Sequence, residues 1–260
     1  MTSSTPQPAL PGPAGQAAAP LRRIEGGLVV SCQEPAGHPL RTSSVIARMA
    51  RAVALGGAVG LRINSATDLR AVKAVTDLPV IGIHKVARSG GRDLITPSLR
   101  LAAGLAAAGA DIIAVEATAE THWHAGDPAV LIGRIREELG VPVMADVATT
   151  AEGIRAWEAG ADLVATTLSG YTALPGHPAG RAPGPEEDPD LGLVAALHSH
   201  GIPVIAEGRY STPAQVGLAF RNGAFAVVVG TAITDPAAIT RRFARFTPVA
   251  AMLPADGASR

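Results

Sequence analysis

A chain of 260 residues with 47% hydrophobic content is long enough to bury one large core, and its 22 basic and 22 acidic side chains cancel, leaving no overall field to draw in nucleic acid or an anionic membrane surface. Its single cysteine, Cys32, excludes an internal disulfide framework, and no apolar run approaches the roughly 18 residues that cross a bilayer. The expected protein is a soluble, cytoplasmic single domain that binds any anion locally.

Residues 1–22 read as a disordered tail rich in Pro, Ala, Gly and Ser, without the basic start or apolar centre of a secretory signal. Arg22-Arg23 looks like a twin-arginine signal, but Ile24-Glu25-Gly26-Gly27 follows in place of a long apolar segment. The first strand runs from Gly27 to Gln33. Three later segments read alike, Leu78 to Gly82, Val141 to Asp146 and Ile202 to Glu207, each a short apolar run entered through a proline, which suits the first residue of a strand. A second phrase, Gly-Ala after an Ala-rich helical segment, recurs at Gly57, Gly109, Gly160 and Gly223, with the glycine placed to cap the helix and feed the next strand. About eight short strands separated by helix-length segments predict an all-parallel sheet with helical crossovers. The number of units favours a closed α/β (β/α)8 TIM barrel over residues 23–247, with a flexible tail at 248–260.

Helix starts agree with this reading. Thr149 with Glu152 and Thr212 with Gln215 have the spacing of capping boxes, and Pro97, Pro213 and Pro236 suit first helical positions. Ala173 to Pro189 is the longest stretch without periodicity, open to reading as a mobile lid or a plain insertion ahead of a helix beginning near Asp190.

In a parallel barrel, chemistry collects where the strands end. Gln33 ends the first strand, Arg62 the second, Lys85 the third, Glu116 the fourth, Asp146 the fifth and Glu207 the seventh. Alternation turns Ser31, Gly60, Ile83, Ala114, Met144 and Ile205 the same way, most of them small or apolar as a packed interior requires. Any one of the five ionisable residues fits a rim salt bridge, but all six strand ends together point to a site. The last two strands end in Glu207-Gly208-Arg209 and Val229-Gly230-Thr231, where backbone N–H groups in such barrels receive phosphate. Although glycine there is also ordinary turn punctuation, this end is the expected phosphate contact. His122-Trp123-His124 sits in a loop without an obvious third and fourth ligand, so no metal is expected.

From about Gly27 to Phe246 the chain resembles the N-acylmannosamine-6-phosphate 2-epimerases, metal-free (β/α)8 barrels of sialic-acid catabolism. The resemblance is carried by GGLVVSCQ ending at Gln33, LRI around Arg62, PVIGIHK ending at Lys85, MADVAT around Asp146, TTLSGYT from Thr166 to Thr172 and AEGRYSTPAQ from Ala206 to Gln215. It implies that Lys85 transfers a proton, that Glu207 and Asp146 are its acidic partners, and that Gln33 and Arg62 bind a phosphorylated amino sugar, with no cofactor. It leaves room for a homodimer. After the fourth strand, relatives carry Asp-Gly-Thr or Asp-Ala-Thr followed by basic residues and Pro, whereas here Glu116-Ala117-Thr118 leads into Ala119-Glu120-Thr121-His122. Val86 also stands where relatives have a basic residue, and the 173–189 loop is longer than theirs.

Epimerisation at C2 needs an acidic C2 proton, hence an opened ring with an aldehyde at C1. A carboxylate near O1 and the ring oxygen would assist opening, and a lysine amine would then move the proton. An ordinary lysine, with a pKa of about 10.4, must be desolvated or placed beside a cation to serve as that base. Arg62, Gln33 or protonated Lys85 would stabilise the enolate oxygen. Competing readings are a metal-dependent pentose-phosphate epimerase, whose His and Asp ligand set is missing, a Schiff-base aldolase, and a sugar-phosphate sensor without turnover.

Overall fold

A computed structural model describes residues 18–35, 37–88, 92–172 and 187–248. The outer parts of both expected tails, positions 173–186 of the long loop and the side chains of Trp123 and His124 lie outside the described residues.

Eight strands close into a parallel barrel: β1 (Leu28–Cys32), β2 (Gly60–Asn64), β3 (Val80–Ile83), β6 (Ile112–Glu116), β7 (Val143–Asp146), β8 (Leu163–Ala165), β9 (Val204–Glu207) and β10 (Ala224–Val229). The pair Leu28↔Val227 joins first to last. Two further strands, β4 (Lys85–Val86) and β5 (Leu94–Ile95), form an antiparallel hairpin between β3 and the next helix, a feature the strand count did not anticipate.

The recurring phrases have a common physical cause. Pro79, Pro142 and Pro203 each sit one residue before their strand rather than on its first residue. There a missing N–H costs nothing, while their carbonyls accept from Leu61, Ile113 and Val164 on the preceding barrel strands at 2.9–3.1 Å. Gly57, Gly109, Gly160 and Gly223 all have φ between 89 and 97°, the left-handed turn by which a helix reverses into the next strand. Asp111 and Asp162, two residues beyond such glycines, each accept from the first N–H of the preceding strand, Val80 and Val143, at 2.8 and 2.9 Å.

Both capping boxes form, at the starts of α7 (Thr150–Glu158) and α9 (Pro213–Arg221). Pro213 and Pro236 open their helices, and Asp190 caps α8 (Leu191–Ser199). Pro97 does not open one. Ser98 caps α4 (Leu99–Ala107) with its hydroxyl, so Pro97 lies one residue outside the cap.

Side-chain alternation sorts the core into two layers. Outward-facing Val30, Leu61, Val80, Ile113 and Val204 pack against the helices, while Val29, Ile81, Ile112, Met144, Leu163 and Val228 fill the barrel itself. The inner layer also contains Leu21 and Ile24. These belong to α1 (Ala19–Ile24), a one-and-a-half-turn helix that plugs the end where strands begin. The expected tail over residues 1–22 is corrected for 19–22: they fold because Leu21 and Ile24 close an otherwise open apolar lumen. Gly60 records that closeness, since a Cβ there would lie 2.8 Å from Ile24 Cγ2. Among the described residues, no helix is long and apolar enough to cross a membrane.

Candidate active site

Arg62 on β2 projects into the barrel at the strand-end face and is 1% exposed. Its guanidinium forks onto Asp146 of β7, with Nη1 donating to Oδ1 at 3.0 Å and Nη2 to Oδ2 at 2.6 Å, and Nη1 also donates to Glu207 Oε2 on β9. Burial alone would weaken the guanidinium's charge, but the two carboxylates more than offset it and hold the proton more firmly than in a free arginine. Thr167, just past β8, joins the same cluster. Its hydroxyl lies 2.6 Å from Asp146 Oδ1 and 3.2 Å from Glu207 Oε2, bridging the two acids. Thr166 secures Glu207 from behind, accepting its backbone N–H at 3.1 Å and donating to its carbonyl at 2.8 Å.

One arginine between two carboxylates leaves one negative charge in excess. Glu207 bears the consequence: burial pushes its carboxyl above the usual range, Arg62 pulls against that, and Asp146 adds to the rise. A carboxyl so placed keeps its proton more readily than an ordinary glutamate.

Lys85 stands over this cluster, two residues beyond β3 in the first strand of the hairpin. Its backbone N–H donates to Asn64 Oδ1 at 3.0 Å. Among the described residues no acceptor lies within hydrogen-bond distance of its ammonium. The side chain is exposed along the barrel mouth, yet the surrounding wall desolvates its ammonium. That desolvation lowers the lysine pKa, and Arg62 lowers it further against the opposing pull of Glu207, Asp93 and Asp146. Gln33 follows β1, its Nε2 donating to Ser31 Oγ at 2.6 Å while its buried Oε1 has no partner among the described residues.

Across the mouth, Gly208 has φ 104° and packs close to the carbonyls of Thr166 and Thr167. Gly230 caps a short helix, α10 (Thr231–Thr234), which has no side-chain cap and whose Thr231 is exposed. Arg209 is held here by Ser169 O at 2.6 Å and Asp188 O at 3.0 Å, its guanidinium 5.7 Å from the centroid of the Tyr171 ring.

A buried arginine–two-acid cluster beneath an unpaired lysine, beside glycine-terminated strands, is chemistry for moving a proton on an anionic ligand. Known proteins point the same way. A family model named NanE, described as "Putative N-acetylmannosamine-6-phosphate epimerase", matches residues 46–248. The chain belongs to this family.

Relatives named as 2-epimerases of the same sugar phosphate extend the match. The protein of Caldanaerobacter subterraneus is 42% identical over 229 residues, 87% of this chain and 93% of its own. That of Cutibacterium acnes is 45% identical over 223 residues, 86% and 94% of the two chains. The solved N-acetylmannosamine-6-phosphate 2-epimerase from Clostridium perfringens has a TM-score of 0.77 at 36% identity, covering 87% of this chain and 96% of that one.

Within this family member, Arg62 touches both Asp146 and Glu207, whereas Lys85 is linked to them only through charge and Gln33 only through the shared face of the barrel. Glu116 separates from the set. Arg92 grips it with both Nη atoms, Thr118 Oγ1 donates to it at 2.8 Å and the Ile95 N–H at 3.3 Å. Burial alone would raise its pKa, but Arg92 and the hydroxyls of Thr121 and Thr118 bring it below the usual range. The positive charge absent after the fourth barrel strand is thus supplied by the hairpin, where Arg92 and Arg88 also reach Glu120. Thr167 escaped the strand-end reading because the sixth barrel strand, β8, ends in hydroxyls rather than charges. The paired Thr166-Thr167 was the available signal.

Proposed function

We propose that this chain interconverts N-acyl-D-mannosamine 6-phosphate and N-acyl-D-glucosamine 6-phosphate by moving the C2 proton with Lys85. The observation that carries this reading is the unpaired Lys85 amine above Arg62, Asp146 and Glu207, in a setting that lowers its pKa. The phosphate lies against the backbone of Gly208 and Gly230 with Arg209 and Thr231 beside it, and the sugar reaches across the mouth toward Lys85. Glu207, held above the ordinary carboxyl range, gives its proton to the ring oxygen as the C1–O5 bond breaks and takes up the proton that the C1 hydroxyl releases, leaving the open-chain aldehyde. Lys85 then takes the C2 proton, the electron pair passes to O1 as an enolate, and the Lys85 ammonium returns a proton to the other face of C2 as the carbonyl re-forms, which completes the inversion and restores the amine. Arg62, with both Nη atoms on carboxylates, lends the site its charge. Protonated Lys85 and Gln33 are left to face the enolate oxygen.

Incubating the protein with N-acetylmannosamine 6-phosphate in deuterium oxide, without added metal, tests this by NMR. Conversion with deuterium entering C2 is the expected result. Binding without conversion or exchange would instead support a sensor or another phosphosugar.

A homodimer belongs to the same reading. Helix α11 (Pro236–Ala244) buries none of its residues, Phe243 and Phe246 are 75% and 83% exposed, and an apolar cavity of about 300 Å³ lies between Leu28, Val216, Val229 and Ile233. Apolar exposure on that scale asks for a cover. Light scattering at micromolar concentration is expected to return twice the chain mass of 26.3 kDa, and a value of one chain would end the dimer reading.

A further inference from the structure

Lys85 stands on the hairpin rather than on a barrel strand, so its position depends on whatever holds the hairpin. At the hairpin base, Thr96 N–H donates to His84 O at 2.8 Å and His84 N–H to Thr96 Oγ1 at 3.0 Å, with Thr96 fully buried at φ 48°. One residue further out, Lys85 pairs with Ile95. Ile95 is in turn fixed by its N–H to Glu116 Oε2, and Glu116 is gripped by Arg92 from the same hairpin. Arg88 and Arg92 both reach Glu120 at the start of α5 (Ala119–Ala125), so two hairpin arginines meet two acids of the fourth strand and its following turn. The hairpin bearing the lysine is therefore bolted to the barrel wall by charge, at a carboxylate that is itself fully buried.

We propose that Arg92, acting through Glu116 and supported by Arg88, is a positioning residue that holds the Lys85 amine over the substrate's C2. This rests on the reading of Lys85 as the base. Asn64 and the Thr96–His84 pair hold the root of this two-residue strand, the charged clamp holds the rest of the hairpin, and an ångström of drift at the reacting atom is enough to depress turnover about 100-fold. The groups facing the amine are Arg62 from β2, Asp146 from β7, Glu207 from β9 and Asp93 from the hairpin. If the hairpin lifts, the amine moves toward water and away from Arg62, and the pH at which it loses its proton rises.

The test compares Arg92→Ala, Arg92→Lys, Glu116→Gln and the double variant Arg92→Ala/Glu116→Gln in the full-length protein. Arg92→Ala is expected to lower kcat roughly 10- to 100-fold with KM within about threefold of the parent, and to move the ascending pH limb of kcat upward. Arg92→Lys should recover part of both effects, and the double variant should be no worse than the weaker single, as for residues acting as one unit. If Arg92→Ala does not fold, Arg92→Lys and Glu116→Gln carry the same comparison. A lower melting temperature with unchanged kcat and pH limb would overturn the proposal, as would a raised KM at unchanged kcat. Lys85→Met separates the two readings. If it still exchanges C2 hydrogen, the base assignment fails; if it is inactive while Arg92→Ala turns over normally, only the positioning role fails.

Discussion

Replacing Lys85 with methionine should abolish exchange of the C2 hydrogen while the sugar phosphate still binds. Methionine keeps the length and much of the apolar stem but removes the amine, and loss of a positioned base costs about 10²- to 10⁴-fold. The change should appear in kcat and kcat/KM together, because the amine meets the C2 proton only along the reaction coordinate. In the parent protein the sign of the pH dependence follows from the base role. Activity rises with pH as Lys85 loses its proton, and the limb should fall below the ordinary lysine value of about 10.4 because burial, and then Arg62, disfavour the ammonium. Single-turnover kinetics with substrate deuterated at C2 would check it. A Lys85→Met variant that retained conversion with a full isotope effect would move the base elsewhere, and Glu207 would be the first group to examine.

The largest expected effect on stability is that of Arg62→Leu. Removing the guanidinium leaves Asp146, which is fully buried, and Glu207 facing each other without a counter-charge. Stranding a buried partner in this way costs about 3–5 kcal/mol, which for a chain of this size lowers the melting temperature by roughly 10 °C. The penalty should depend on pH. With the cation gone, the raised Glu207 carboxyl loses the charge that pulls it down, so the folded variant binds a proton more tightly than the unfolded chain and loses stability as pH rises through and beyond the carboxylate range. Melting curves at pH 5 and pH 8 should therefore show the smaller deficit at pH 5. Adding Asp146→Asn and Glu207→Gln should restore much of the lost stability without restoring turnover. Equal deficits at both pH values would mean that the cluster's cost is one of packing rather than charge.

Much of this architecture was legible because it is written in local patterns. A proline just ahead of an apolar run, a glycine that must turn left-handed after a helix, and a threonine three residues before Glu or Gln each report a constraint within a few residues of themselves. Parity along a strand is just as local, so Arg62, Asp146 and Glu207 could be assigned to the interior before any contact was known. The misreadings have the opposite character. Residues 19–22 look like the Ala- and Pro-rich run before them and fold only because the barrel presents an open apolar end to Leu21 and Ile24. Glu116 has the same strand-end position as Asp146, and the two are register partners, yet one is captured by a hairpin arginine and the other by Arg62. Nothing within a few residues of either distinguishes them.

Sequence alone thus determined the repeated strand–helix unit, the closed barrel and the face on which chemistry gathers, since these follow from backbone stereochemistry and side-chain alternation. Tertiary structure alone decided which charges meet. Arg62 finds its acids 84 and 145 positions away, Thr167 bridges those acids from just past the strand between theirs, and Arg92 crosses 24 positions to remove Glu116 from the site. Such pairings depend on angle and separation across a closed barrel, where a displacement of a few ångströms exchanges one partner for another, and linear order carries no measure of that distance.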